Sequence, residues 1–72
     1  MKISTVNVLE INDGIPQQIV SFKEGKKGNS EAEVLFEKMA TENGALKPDM
    51  ESYLEDGIYS SGTYSVCLTH SS

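Results

Sequence analysis

The fold follows from the stretch KISTVNVLEINDGIPQQIVSFK, residues 2–23, which predicts a β-hairpin. Asp13 and Gly14 lie between two runs rich in β-branched residues, and glycine takes the left-handed conformation of a tight turn without steric cost. A two-residue turn here would mix polar and apolar side chains on both faces of the hairpin. A three-residue loop over 12–14 instead pairs Val6 with Val20, and a slip of one residue would move the apolar set to the other face. We therefore predict one apolar face, made of Val6, Val8, Val20 and Phe22.

A main helix is predicted over residues 31–43, after a polar connector at 23–29. Ser30 and Glu33 have the spacing of a capping box, in which each side chain bonds the backbone amide of the other residue. Asparagine and glycine at 43–44 predict the end of the helix, because glycine readily takes the left-handed conformation found there. The apolar residues recur at helical spacing and form one stripe, which comprises Ala32, Leu35, Phe36, Met39 and Ala40.

The last third of the chain predicts a short helix and a strand. Pro48 and the apolar spacing that follows it predict a second helix over 49–55. Residues 63–69 alternate between apolar and polar side chains and predict a third strand. Residues 59–62 are turn-like, although 58–59 also allow a short strand of their own.

These elements predict one α+β domain over residues 1–72, built as a two-layer sandwich. The order β-β-α-(α)-β gives a three-stranded antiparallel sheet with strand order 2-1-3. One main helix and a short second helix cover one face of that sheet. The predicted core joins the hairpin to the helices and the third strand, and comprises Val6, Val8, Val20, Phe22, Ala32, Leu35, Phe36, Met39, Leu54, Tyr64, Val66 and Leu68.

The composition excludes several classes of protein. The chain has 72 residues, a net charge of −5, one cysteine, one histidine and no tryptophan. One cysteine forms no internal disulfide, and one cysteine with one histidine falls short of the ligands of a structural zinc site. No apolar run has the length of a signal peptide or a membrane span. We therefore expect a cytoplasmic protein without a cofactor, of a kind common among bacterial and phage accessory proteins.

A second apolar set falls on the sheet face that the helices leave uncovered. Two short helices do not cover both faces of a small sheet, and contiguous exposed aliphatic side chains usually mark an interface. The alternatives are a wrong register, a bulge that reverses the alternation, or a C-terminal segment folded over the set. The predicted interface comprises Leu9, Ile11, Ile15, Ile19 and Cys67.

The acidic residues are concentrated in the predicted helices. Residues 31–56 carry 8 acids and 2 lysines, a net charge of −6, whereas residues 1–30 carry 4 lysines and 3 acids, a net charge of +1. Such a surface either keeps a small protein in solution or imitates the phosphates of nucleic acid. The absence of arginine argues against direct binding of nucleic acid. The candidate acidic surface comprises Glu31, Glu37, Glu42, Glu51, Glu55 and Asp56.

No residue pattern supports catalysis. Cys67 and His70 are an odd number of positions apart in a predicted strand, so their side chains point to opposite faces. The segment 25–30 is basic and glycine-containing but lacks the order of a phosphate-binding loop. The sequence therefore predicts a non-enzymatic protein-interaction domain, with a homodimer through the second sheet face as one form. The alternative is a small acidic inhibitor that imitates nucleic acid.

Overall fold

Four strands form one antiparallel sheet, and two helices pack on one of its faces. The computed structural model describes residues 4–71. Along the chain the strands are β1 (Thr5–Asn12), β2 (Ile15–Lys23), β3 (Ile58–Ser61) and β4 (Tyr64–Ser71). The helices are α1 (Lys26–Glu42) and α2 (Met50–Asp56), and a 3₁₀ turn, Lys47–Asp49, leads into α2. The α+β class, the single antiparallel sheet and the two helices are confirmed.

The predicted three-stranded sheet is wrong, because the sheet has four strands in the order β2-β1-β4-β3. The predicted third strand is β4, which pairs antiparallel with β1 as expected. The additional strand, β3, forms a hairpin with β4 and pairs Tyr59 with Val66. Its turn consists of Gly62 and Thr63, and Gly62 has φ +60°. The serines before Gly62 resemble a longer turn in sequence, which conceals the strand.

The β1–β2 hairpin differs from the predicted register and still presents the predicted face. Its turn has two residues, Asp13 and Gly14, both with positive φ. A β-bulge follows, so that the partner of Ile11 is Pro16 and the partner of Glu10 is Gln18. The predicted Val6–Val20 pair is therefore wrong, because Val6 pairs with Phe22 and Val8 with Val20. Over residues 18–23 the shift is two residues, and an even shift leaves these side chains on their predicted face, whereas the bulge reverses the residues before it.

Helix α1 begins at Lys26, five residues before the predicted first residue, Glu31. Gly25 occupies the N-cap position without a side-chain hydrogen bond, and Ser30 and Glu33 lie inside the helix with exposed side chains. The predicted capping box is therefore wrong. The first turn contains Gly28, a weak helix former, and this made the segment resemble a loop. The predicted end is confirmed, since α1 ends at Glu42 with Asn43 as its C-cap.

Ser30→Ala tests this revised helix start. Because Ser30 is an exposed residue within the helix, alanine should raise the free energy of unfolding by about 0.5 kcal/mol through its higher helix propensity. Urea denaturation followed by circular dichroism measures the change. A loss of about 1 kcal/mol, typical of a removed N-cap, would contradict a helix that begins at Lys26.

The core lies between α1, α2 and the inner face of the sheet. Its fully enclosed side chains include Phe36 and Val66. Tyr59 is also buried, and its hydroxyl donates to the Asn43 carbonyl oxygen at 2.9 Å. Its ring packs edge-on against the ring of Tyr53, with 4.9 Å between the ring centroids. Tyr59 thus ties β3 to both helices. The buried apolar residues are Val6, Val8, Ala32, Phe36, Met39, Ala40, Ala45, Met50, Tyr59, Tyr64 and Val66, and the predicted core members that are half-buried are Val20, Phe22, Leu35, Leu54 and Leu68.

Candidate interaction surface

The sheet presents its second face to solvent. Side chains alternate along each strand, so Val6 and Val8 point to the helices whereas Leu9 and Ile11 point away. Helix α1 packs against β1, β2 and β4, and α2 packs against β3, all on the inner side. We call the opposite side the outer face.

An apolar row crosses all four strands of the outer face. Ile19 of β2 pairs with Leu9 of β1, Leu9 pairs with Cys67 of β4, and Cys67 pairs with Ile58 of β3. The two end residues are well exposed, at 63% for Ile19 and 45% for Ile58, and the two central residues are half-buried. Neighbouring strands lie about 4.8 Å apart, so the four side chains form a strip about 14 Å long. We call these four residues the apolar row.

Four of the five predicted interface residues lie on the outer face, and one does not. Leu9, Ile19 and Cys67 belong to the apolar row, and Ile11 lies one step along β1 beside it. Ile15 pairs with Asn12, which places it on the inner side near the sheet end, beyond the helices, with 61% exposure. The β-bulge causes this, because it reverses the alternation between Ile15 and the rest of β2. Ile58 completes the row, and it was left out of the predicted interface because residues 58–59 were not part of the predicted sheet.

Polar side chains border the apolar row. On one side, the Ser21 hydroxyl donates to Asn7 Oδ1 at 2.7 Å, and Asn7 Nδ2 donates to Ser71 Oγ at 3.1 Å. On the other side, the hydroxyls of Ser60 and Ser65 share a hydrogen bond of 3.0 Å. An apolar centre with a hydrogen-bonding rim is the usual anatomy of a protein interface.

The outer face is almost free of charge. Among the strand residues described, alternation places only one charged side chain there, Lys23, at the corner where β2 ends. Docking on this face would therefore dehydrate few charges, and dehydrating charges is the largest polar cost of forming an interface.

The acidic surface lies on the helical layer. Glu31, Glu37 and Glu42 are on α1, and Glu51, Glu55 and Asp56 are on α2. Five of the six are exposed, and Glu37 is half-buried. Within residues 4–71 the single close contact between a basic and an acidic side chain joins His70 Nδ1 and Glu24 Oε1 at 3.7 Å, so no lysine in that range pairs with any of these six acids. The helical layer is thus the strongly negative side of the molecule.

The buried Tyr64 and the half-buried Glu10 form a polar pair that the sequence analysis did not predict. The Tyr64 hydroxyl donates to Glu10 Oε2 at 2.7 Å. Burial raises the pKa of Tyr64 well above its usual value, and the hydrogen bond to the Glu10 carboxylate raises it further. The phenol therefore keeps its proton and holds β4 to β1 on the inner face. The pair could have been predicted from the position of Glu10, which alternation places on the same face as Val6 and Val8.

The other chemically suggestive residues do not assemble a site. Cys67 and His70 lie in one continuous strand and so point to opposite faces, as expected. A shallow depression lies beside the start of α1, lined by Lys23, Glu31 and the segment between 24 and 28. No group of three histidine, cysteine, aspartate or glutamate side chains in the described part of the chain is arranged to hold a metal ion.

No protein-family model, curated protein or solved structure matches this chain. Between residues 4 and 71, no helix is long and apolar enough to cross a membrane.

Proposed function

We propose that this chain is a non-enzymatic protein-interaction domain that docks through its outer face. The observation that supports the proposal is the apolar row, which crosses the whole sheet and has no covering element among the described residues. The row has a polar rim and an almost uncharged surround, so the same region combines the features of an interface core with a low cost of desolvation.

The energetics favour this face over the helical side. Burying one isoleucine side chain contributes roughly 1.5–3 kcal/mol, and the exposed ends of the apolar row, Ile19 and Ile58, are available for that gain. The helical layer carries the unneutralised acids, and two such layers would repel each other. Between these two sides, face-to-face association is therefore better supported for the outer face, where two sheets could pack about 10 Å apart.

Ile58→Lys tests the proposal, with Ile15→Lys as its matched control. Both isoleucines are exposed strand residues, but only Ile58 belongs to the apolar row. Both variants should fold with little change in thermal stability. We expect Ile58→Lys to abolish docking, because lysine would place a charge within the apolar contact. The measurement cross-links wild type, Ile58→Lys and Ile15→Lys in the source cell and identifies the bound proteins by mass spectrometry.

The two measurements distinguish a different partner protein from a second copy of this chain. If a different protein docks, wild type and Ile15→Lys retain it and Ile58→Lys loses it. If two copies dock face to face, the mass of Ile58→Lys alone in light scattering is half that of wild type. Equal behaviour of the two variants in both measurements would refute docking through the outer face.

A further inference from the structure

The sheet has two very unequal edges. Strand β3 forms one edge and has four residues, whereas β2 forms the other and has nine. Short edge strands, prolines and bulges all discourage the addition of another strand. On β2, Pro16 and the bulge protect the end near the turn. The remaining segment of β2, residues 18–23, pairs regularly with β1 and has a free edge.

One hydrogen bond shows which backbone groups of this segment face outward. The Glu24 amide donates to the Ser4 carbonyl oxygen at 3.0 Å, so Ser4 and Glu24 continue the ladder as a hydrogen-bonded pair. Antiparallel pairs alternate between hydrogen-bonded and non-hydrogen-bonded positions. The amides of Phe22 and Val20 therefore face β1, and those of Lys23, Ser21 and Ile19 face away from it.

The end of the segment is partly closed. Gly28 of α1 lies against the Lys23 carbonyl oxygen, so that acceptor is covered by the helix. The outward groups that stay accessible are the amides of Lys23, Ser21 and Ile19 and the carbonyls of Ser21 and Ile19.

We infer that the free edge of β2 pairs antiparallel with β2 of a second copy, with the two-fold axis at Ser21. The four-stranded sheet of each copy then becomes half of an eight-stranded sheet. In this register the two Ser21 residues exchange hydrogen bonds, and each Lys23 amide donates to the partner's Ile19 carbonyl. The Ile19 amide gains no acceptor, because α1 covers the Lys23 carbonyl that it would face. A register centred on Val20 would form as many backbone hydrogen bonds, but it would place Phe22 opposite the partner's Gln18 instead of an apolar residue.

The side chains suit this register. Lys23 would face the partner's Ile19, and Glu24 would face the partner's Gln18, so no like charges oppose each other. On the inner side, Phe22 would face the partner's Val20, and both are half-buried in the single chain. Pairing would therefore cover apolar surface on the inner side as well as complete the backbone hydrogen bonds.

This dimer is separate from docking through the outer face. A two-fold axis perpendicular to the sheet keeps both outer faces on the same side and leaves both uncovered. Ile58 lies on the opposite edge from β2, so Ile58→Lys should leave edge pairing intact. Failure of one proposal is thus distinguishable from failure of the other.

Amide hydrogen exchange on the wild-type protein gives the first test, because it needs no substitution. At low concentration the amides of Ile19, Ser21 and Lys23 should exchange rapidly, while those of Val20 and Phe22 are protected by β1. At high concentration the Ser21 and Lys23 amides should slow by about tenfold or more, because they enter hydrogen bonds, whereas the Ile19 amide, which gains no acceptor, should slow less. Light scattering should show a mass of twice 7.9 kDa under the same conditions.

A charge-swap experiment gives the second test, because a residue on the two-fold axis faces itself. Ser21→Lys alone and Ser21→Glu alone should each be monomeric where wild type is dimeric, since like charges would meet at the axis. An equimolar mixture of the two variants should recover the dimer mass at low salt and lose it at high salt. Thr69→Lys and Thr69→Glu are the matched controls, because Thr69 is an exposed residue on the same face but in an inner strand.

The inference is overturned if wild type stays monomeric at every concentration, or if the exchange rates of the Ser21 and Lys23 amides do not change with concentration. It is also overturned if the Ser21 variants fold and dimerise like wild type, or if their mixture is not rescued. If either Ser21 variant fails to fold, the exchange rates of Ser21 and Lys23 in wild type decide alone.

Discussion

Gly28→Ala is expected to lower the free energy of unfolding by at least about 2 kcal/mol, because the new methyl group would overlap the Lys23 carbonyl oxygen. The obstacle is backbone, which cannot rotate away as a side chain can. Relief would require α1 or the end of β2 to move, and both are held by the core. Urea denaturation at equilibrium measures the loss.

The sign of this effect makes the test decisive. Inside an ordinary helix, alanine is more favourable than glycine by about 1 kcal/mol, so a helix free of β2 would gain stability. Ser30→Ala, in the same helix but exposed, is the matched control and should gain slightly. If Gly28→Ala also gains, α1 does not approach Lys23 as closely as described.

Phe36→Ala should be the most damaging core substitution, with a loss of about 3–5 kcal/mol. Phe36 is the largest of the fully enclosed side chains and lies at the centre of α1. Typical stabilities of roughly 0.05–0.15 kcal/mol per residue give about 4–11 kcal/mol for a chain of 72 residues. The variant should therefore retain little cooperative unfolding in a thermal melt.

Val34→Ala is the control for this substitution. Val34 is two residues away in the same helix and 62% exposed, so it should change the free energy of unfolding by less than about 0.5 kcal/mol. Comparable losses for the two variants would mean that α1 is rotated about its axis relative to the described core.

Alternation and helical spacing were sufficient to predict most of the fold. They assigned Val6, Val8 and Phe22 to the inner face and Leu9 and Ile19 to the outer face, because these assignments depend only on whether positions differ by an odd or even number. The exact register was wrong, since a two-residue turn followed by a bulge gives residues 18–23 the same faces as a three-residue loop. Local sequence does not separate those two solutions, because the choice depends on pairing across the whole strand.

The remaining errors arise where tertiary contacts override local preference. Gly28 lowers helix propensity, yet α1 includes it because only glycine allows the helix to approach Lys23. Strand β3 is short and rich in serine, and it exists because Tyr59 packs into the core and pairs with Val66. The loss of β3 from the prediction removed Ile58 from the candidate interface, whereas the bulge wrongly added Ile15.

Gln17 has no partner on β1, and we expect it to be the position within β2 where a deletion is tolerated during evolution. Deleting Gln17 would leave every cross-strand pair as it is, because the residues on either side already face consecutive positions of β1. Deleting a residue between 18 and 22 would instead move the side chains on one side of the deletion to the opposite face of the sheet. One position in β2 therefore tolerates a natural deletion, and its loss would also remove the irregularity that blocks strand addition near the turn.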